Sequence, residues 1–277
     1  MTAAHTLGSL LRQARAQGYA VPAFNVVDEA TMAAVLDTAA EAGSPVIVQT
    51  SARTAAFWGA VPLRAAFEAR RAVSGVAAVL HLDHCTDAGQ VLDCVRAGWE
   101  SALFDVSDRP FPEAVTATRR VVAEAAGHGA EIEGEFERIA RIGEATPAAA
   151  AASYDRSRQF VAETGVLCLS PDLGTRHGCY DADPPIRLDL ARRLAATVPV
   201  VLHGGSGLSA AALAATVAAG ISKINFSSAV KAEYLATVRD LAGSAGEPLD
   251  LPRALRARVG AVCATYIRRS GSQGRQA

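Results

Sequence analysis

Lysine is nearly missing from the chain: Lys223 and Lys231 are its only two. An imine-forming mechanism needs a reactive lysine amine, and Lys223, on a candidate strand, is the one plausible nucleophile, so that chemistry is a poor expectation. The five cysteines, Cys85, Cys94, Cys168, Cys179 and Cys263, are odd in number, widely spaced and free of any C-x-x-C pair. In a chain too long to need disulfide staples they read as reduced thiols. No run of 18 or more apolar residues occurs, and residues 1–17 hold no continuous apolar segment. Export and a helical membrane span are argued against, and a cytoplasmic protein is expected. Charge of one sign is lacking too: 27 Lys and Arg stand against 28 Asp and Glu, a formal net charge of −1. No overall field gathers nucleic acid or an anionic membrane, which leaves small-molecule chemistry.

Half of the 277 residues are hydrophobic, enough for a large core, and single α/β barrels occupy this length range. Eight short apolar runs, at 20–27, 45–50, 77–83, 101–107, 130–136, 165–170, 199–204 and 221–227, alternate with longer Ala-rich stretches. Apolar residues recur every three or four positions at 29–42, 111–127, 209–219 and 229–241, the helical period. Alternating strands and helices predict an α/β fold with a parallel sheet. Eight units fit a closed (β/α)8 TIM barrel, one domain over 1–277; a doubly wound open sheet is the alternative that periodicity leaves open. The low-complexity segment 146–153 lies inside the pattern and reads as a mobile active-site loop. The polar tail 268–277 is expected to fray.

In such barrels the catalytic groups lie where strands end. Of six histidines, His5 and His128 fall in a terminus and a turn and His81 within strand three, whereas His84, His177 and His203 fall at or beyond the ends of strands three, six and seven. Three imidazoles on one face, with a fourth position open, suit a catalytic zinc. Taken singly, each is more often a structural histidine. Asp83 precedes His84, so at a regular strand end the two side chains diverge, one to hold metal and the other to act as acid or base. A helix N-cap is the bland reading of Asp83. The turn 201–208, rich in glycine before a helix, and the segment 224–228 can hold a phosphate on backbone amides. Glycine-permitted loop geometry explains the same turn.

These segments together resemble the class II fructose-bisphosphate and tagatose-bisphosphate aldolase family. The matching pieces are GYAVPAFNV (18–26), AVLHLDH (78–84), RQFVAETG (158–165), GTRHGCY (174–180), VPVVLHGGSGL (198–208) and KINFSSAVK (223–231), so the resemblance runs from Gly18 to about Tyr234. It implies a zinc-dependent aldolase acting on a ketose 1-phosphate or 1,6-bisphosphate, releasing dihydroxyacetone phosphate and an aldehyde. It implies His84, His177 and His203 as zinc ligands and Asp83 as the proton-transferring carboxylate. Asn25 and Ser51 are implied to contact substrate, and Gly178, Gly204, Ser206, Asn225 and Ser228 to surround the phosphate. A monovalent cation and a homo-oligomer, dimer or tetramer, follow from the same resemblance.

Glu133 and Glu135 match the family's E-x-E on strand five. Residues two apart face one side, so both can point into the barrel mouth, although a solvent-facing pair reads equally well. Three departures stand out. The family's Gly-Gly-x-Glu-Asp loop is replaced by ERIARIGE (137–144), so the catalytic glutamate aligns with Gly143 and Glu144 lies one residue beyond it. Pro171 and Asp172 stand where small apolar residues are usual, and Ala229 replaces an acidic residue. Ser228 stands in place of threonine and keeps the hydroxyl. These changes point to an unusual substrate. Isomerisation or epimerisation of a sugar phosphate, and a non-catalytic sugar-phosphate-binding barrel, are the competing functions.

Overall fold

A computed structural model describes residues 5–144, 153–178, 180–242 and 246–276. The eight strands are β1 (Val21–Asn25), β2 (Val46–Ser51), β3 (Ala78–Cys85), β4 (Ser101–Asp105), β5 (Glu131–Glu135), β6 (Cys168–Leu169), β7 (Val200–Leu202) and β8 (Ile221–Phe226). Each pairs in parallel with the next and β8 pairs with β1, which closes the barrel and removes the open-sheet alternative. The chain is a single-domain TIM barrel. β6 is shorter than its apolar run because Gly165 is the left-handed C-cap of the helix Tyr154–Thr164, so the run begins inside a helix exit. The segment 146–152 lies outside the described residues, as does Cys179; the other four cysteines are free and buried.

Alternation along each strand sends one set of side chains outward into an apolar layer under the helices, including Phe24, Val48, Leu80, Phe104 and Phe226, all fully buried. The inward column on β3 reads Val79, His81, Asp83: apolar at the base, polar higher up. The base is sealed by the helix Leu7–Gln17, which packs Leu7, Leu10, Leu11 and Ala14 against Val21, Ala23, Ile47, Val79 and Val201. Each leucine so buried contributes roughly 1.5–3 kcal/mol.

The C-terminal helix Asp250–Arg269 packs across the helices Glu29–Glu41 and Ser228–Leu241. Among the described residues of the tail after it, several are hydrogen-bonded back onto the barrel. Gly274 N–H donates to the Ala42 carbonyl (2.9 Å), Gln276 N–H to the Gly43 carbonyl (2.7 Å), and the Ser272 and Ser44 hydroxyls meet at 2.9 Å. Backbone amides of Gly274 and Gln276 satisfy the carbonyls just past the helix Glu29–Glu41, and Ser270 and Ser272 are wholly buried there. No helix among the described residues is long and apolar enough to cross a membrane.

Candidate active site

A cavity of about 680 Å³ opens at the C-terminal ends of the strands, walled by Asn25, Ser51, Asp83, His84, Asp105 and Glu135 among others. His84 adopts φ of 45°, the left-handed region that a non-glycine residue rarely occupies, and the β3–β4 register shifts between Leu82 and Cys85. This bulge corrects the expectation that Asp83 and His84 diverge: both side chains reach the cavity, with His84 Nε2 3.9 Å from Asp83 Oδ1. Local strain of this sort is concentrated where geometry serves a site.

His177 is positioned by backbone pairing with the loop after β5. Its N–H donates to the Ala140 carbonyl (3.1 Å) and its carbonyl accepts from Ile142 N–H (3.0 Å). His203 follows β7, and Gly204 after it has φ of 72°. A Cβ at Gly204 would lie 2.3 Å from the Arg176 carbonyl oxygen, so only glycine lets the His177 and His203 segments approach. The His84 ring centroid is then 4.9 Å from that of His177 and 4.6 Å from that of His203.

The donor atoms of His84, His177 and His203 lie within 4.8 Å of one another, as do those of His84, Asp105 and Glu135. Burial and the neighbouring His84 push His177 down to about 4 and His203 well below its ordinary value, so both are neutral imidazoles with a lone pair to offer. For His84, burial is outweighed by the carboxylates of Glu135, Asp83 and Asp105, which raise it to about 10. A cluster of acids around one imidazole calls for positive charge.

Buried polar atoms normally find partners. Here His84 Nε2, His203 Nδ1 and Glu135 Oε2 are buried without a hydrogen-bond partner among the described residues. His203 Nε2 faces Glu133 Oε1 at 3.1 Å; the carboxylate accepts, so the ring proton sits on Nε2 and the Nδ1 lone pair is free. That Nδ1 lies 3.3 Å from Glu135 Oε2. Two acceptors face to face need a proton on Glu135, which burial pushes well above the ordinary carboxylate range, or a metal cation. Nitrogen and carboxylate donors in this arrangement fit zinc.

Asp83 is nearly buried at 6% exposure, and each of its oxygens accepts from an amide: Oδ2 from Asn25 (2.8 Å) and Oδ1 from Asn225 (3.3 Å). Gln49 in turn donates to Asn25 Oδ1 (2.7 Å) and fixes which way that amide faces. Against the effect of burial, the charges of His84 and Lys223 and the Asn25 hydrogen bond hold the Asp83 carboxyl below its ordinary value, so it is ionised and aimed. The N-cap reading of Asp83 fails, because Asp87 caps the helix that follows. Glu133 and Glu135 are both buried, which excludes a solvent-facing pair. Lys223 is fully buried with its amine on Glu133, and it is not on the cavity wall.

On the β7 and β8 side the wall is formed by Gly204, Ser206, Asn225, Ser227, Ser228 and Lys231. Gly178 lies off the wall, where its Cα hydrogens face the Ile142 side chain. Ser51 lines the cavity and also caps the helix Ala52–Trp58, accepting from Thr54 N–H. Glu144 reaches the wall, but its carboxylate accepts from Arg138 Nη2 and from Arg141 N–H, both 3.1 Å, and so is turned into its own loop.

The family profile described as "Fructose-bisphosphate aldolase class-II" matches residues 5–275. The chain is 31% identical over 234 residues to the D-tagatose-1,6-bisphosphate aldolase subunit GatY of Klebsiella oxytoca, covering 82% of each. Its fold is similar to that of the YdjI aldolase from Escherichia coli K12, with TM-score 0.87, 24% identity and 98% of both chains covered. It is also similar to a putative fructose-1,6-biphosphate aldolase from Coccidioides immitis, with TM-score 0.89, 23% identity and 99% of both chains covered. The profile spans nearly all of a barrel whose strand ends gather these imidazoles and carboxylates, and the chain therefore belongs to the class II fructose-bisphosphate aldolase family as an aldolase, a carbon–carbon lyase.

Proposed function

We propose that the chain is a zinc-dependent aldolase that reversibly cleaves a ketose 1-phosphate or 1,6-bisphosphate to dihydroxyacetone phosphate and an aldehyde. The observation that carries this reading is the ionised Asp83 carboxylate, oriented by Asn25 and Asn225 beside three convergent imidazoles. His84, His177 and His203 would hold one zinc ion, which supplies a Lewis acid for the ketone carbonyl when bound.

In cleavage, Asp83 takes the proton of the C4 hydroxyl as the C3–C4 bond breaks and C4 becomes the aldehyde carbon. In condensation it returns that proton. In condensation Glu144, which first has to leave Arg138, takes the proton from C3 of dihydroxyacetone phosphate, and in cleavage it passes to C3 a proton it has taken up from solvent. Asn25 and Ser51 face the substrate from β1 and β2. Gly204, Ser206, Asn225 and Ser228 hold the phosphate, with the first turn of the helix Ser228–Leu241 adding its partial positive charge. Similarity to the D-tagatose-1,6-bisphosphate aldolase subunit of Klebsiella oxytoca supports a phosphorylated ketose as the substrate class.

Purified protein is expected to contain about one zinc per chain and to release dihydroxyacetone phosphate from such ketoses, with chelation abolishing turnover. Full activity of a verified metal-free preparation sinks the zinc assignment. An epimer formed without any three-carbon fragment sinks bond cleavage in favour of epimerisation.

A further inference from the structure

We propose that Tyr266, outside the cavity, is the positioning residue that holds the phosphate-binding turn from behind. This rests on the reading of the β7–β8 wall as a phosphate site.

Tyr266 sits near the end of the helix Asp250–Arg269 and is not on the cavity wall. Its hydroxyl donates to the Ser206 carbonyl, in the 3-10 turn Gly205–Gly207 after β7. Its ring stacks on Phe226 at the end of β8, with centroids 4.2 Å apart and planes 26° apart. Phe226 lies between Asn225 and Ser227, which face the cavity. One side chain therefore grips both turns that form the wall.

The two turns are packed together as well. A Cβ at Gly205 would lie 2.5 Å from Ile224 Cγ2, 3.0 Å from Phe226 Cε1 and 3.1 Å from the Asn225 carbonyl oxygen. Only glycine lets the turn rest on the end of β8, where Tyr266 clamps it. Every described peptide bond is trans, so the Ser206 carbonyl and the Gly207 N–H point in opposite directions. Anchoring the carbonyl on Tyr266 turns that amide away from the C-terminal helix. The helix is itself fixed against two barrel helices. The turn is thus set by the scaffold, and its amides need little reorganisation to meet an anion.

The test is Tyr266→Phe, which removes the hydroxyl and keeps the stack. Inorganic phosphate is used as a competitive inhibitor, and kinetics are measured on a phosphorylated ketose and on its unphosphorylated counterpart. The inhibition constant for phosphate and the KM for the phosphorylated ketose are expected to rise about three- to tenfold, the scale of one hydrogen bond. kcat should stay within about twofold, and metal content and the unphosphorylated reaction should be unchanged. Tyr266→Leu, which also removes the stack, should weaken phosphate further. Equal phosphate inhibition in wild type and Tyr266→Phe overturns the proposal alone. Parallel losses on both ketoses make Tyr266 a stability residue and overturn it as well. A wild type that phosphate does not inhibit overturns the phosphate site and the proposal together.

Discussion

Lys223 Nζ lies 2.6 Å from Glu133 Oε2, with both side chains fully buried below the cavity, while Glu133 Oε1 receives His203 Nε2–H at 3.1 Å. One carboxylate thus joins the barrel interior to a candidate metal ligand, and the lysine balances its charge. Lys223→Met should leave the Glu133 carboxylate buried without its cationic partner and cost about 3–5 kcal/mol of stability, measured by denaturant unfolding of the metal-free protein. Glu133→Gln should weaken zinc binding about 10- to 100-fold in a chelator competition, the usual scale for groups that orient a ligand histidine. Unchanged affinity would separate Glu133 from the metal site.

Asp83→Ala should keep zinc and lose aldol cleavage by about 10²-fold or more. The metal content is read by elemental analysis and the rate by release of dihydroxyacetone phosphate. Near-normal cleavage removes Asp83 from the mechanism. Gln49→Ala, by freeing the Asn25 amide that aims Asp83, should lower kcat while leaving metal content alone.

Glu144 is bound to Arg138 across 3.1 Å, so its part in proton transfer requires that pair to open. Glu144→Gln should slow exchange of the C3 proton of dihydroxyacetone phosphate with solvent while leaving zinc content and ligand affinity nearly intact. An unaltered exchange rate hands that proton to another group, with Glu135, Glu137 and Asp172 as the candidates.

Burial raises the Glu137 carboxyl to about 7, partly countered by the Asp172 N–H that it accepts. The folded chain therefore holds this proton more tightly than the unfolded one. The stability it contributes is complete below the ordinary carboxylate range and is lost as pH climbs through about 7. Glu137→Gln mimics the protonated form and should be the more stable protein at pH 8, by on the order of 2–3 kcal/mol, with the gap closing toward pH 5. Parallel stability profiles for the two proteins from pH 5 to pH 8 refute the shift.

The barrel is legible in the sequence because parallel strands buried on both faces read as short apolar runs, and the ends of β1 and β8 fall within two residues of those runs. The strand-end rule also separates His84, His177 and His203 from His81, which lies lower in the barrel on Ser101. Applied only to histidines, it passes over Asp105, which ends β4 on the same wall, and Gln49, the register partner of Asn25. The bulge at His84 carries no glycine to announce it. Nothing local marks the Tyr266 hydroxyl for Ser206, 60 residues away, or ties the polar tail to residues 42–44. Such contacts are made by tertiary packing, which periodicity does not report.

The helix Leu7–Gln17 floors a barrel whose interior is already filled by side chains such as Ile47, Val79, Val201 and Lys223, leaving the cavity at the opposite end as its working face. Reactants enter and products leave over a single rim, and the base has no traffic to carry. Leu7, Leu10 and Leu11 can accordingly be exchanged among large aliphatic residues to adjust how firmly the barrel holds together, with the chemistry at the other end left as it was.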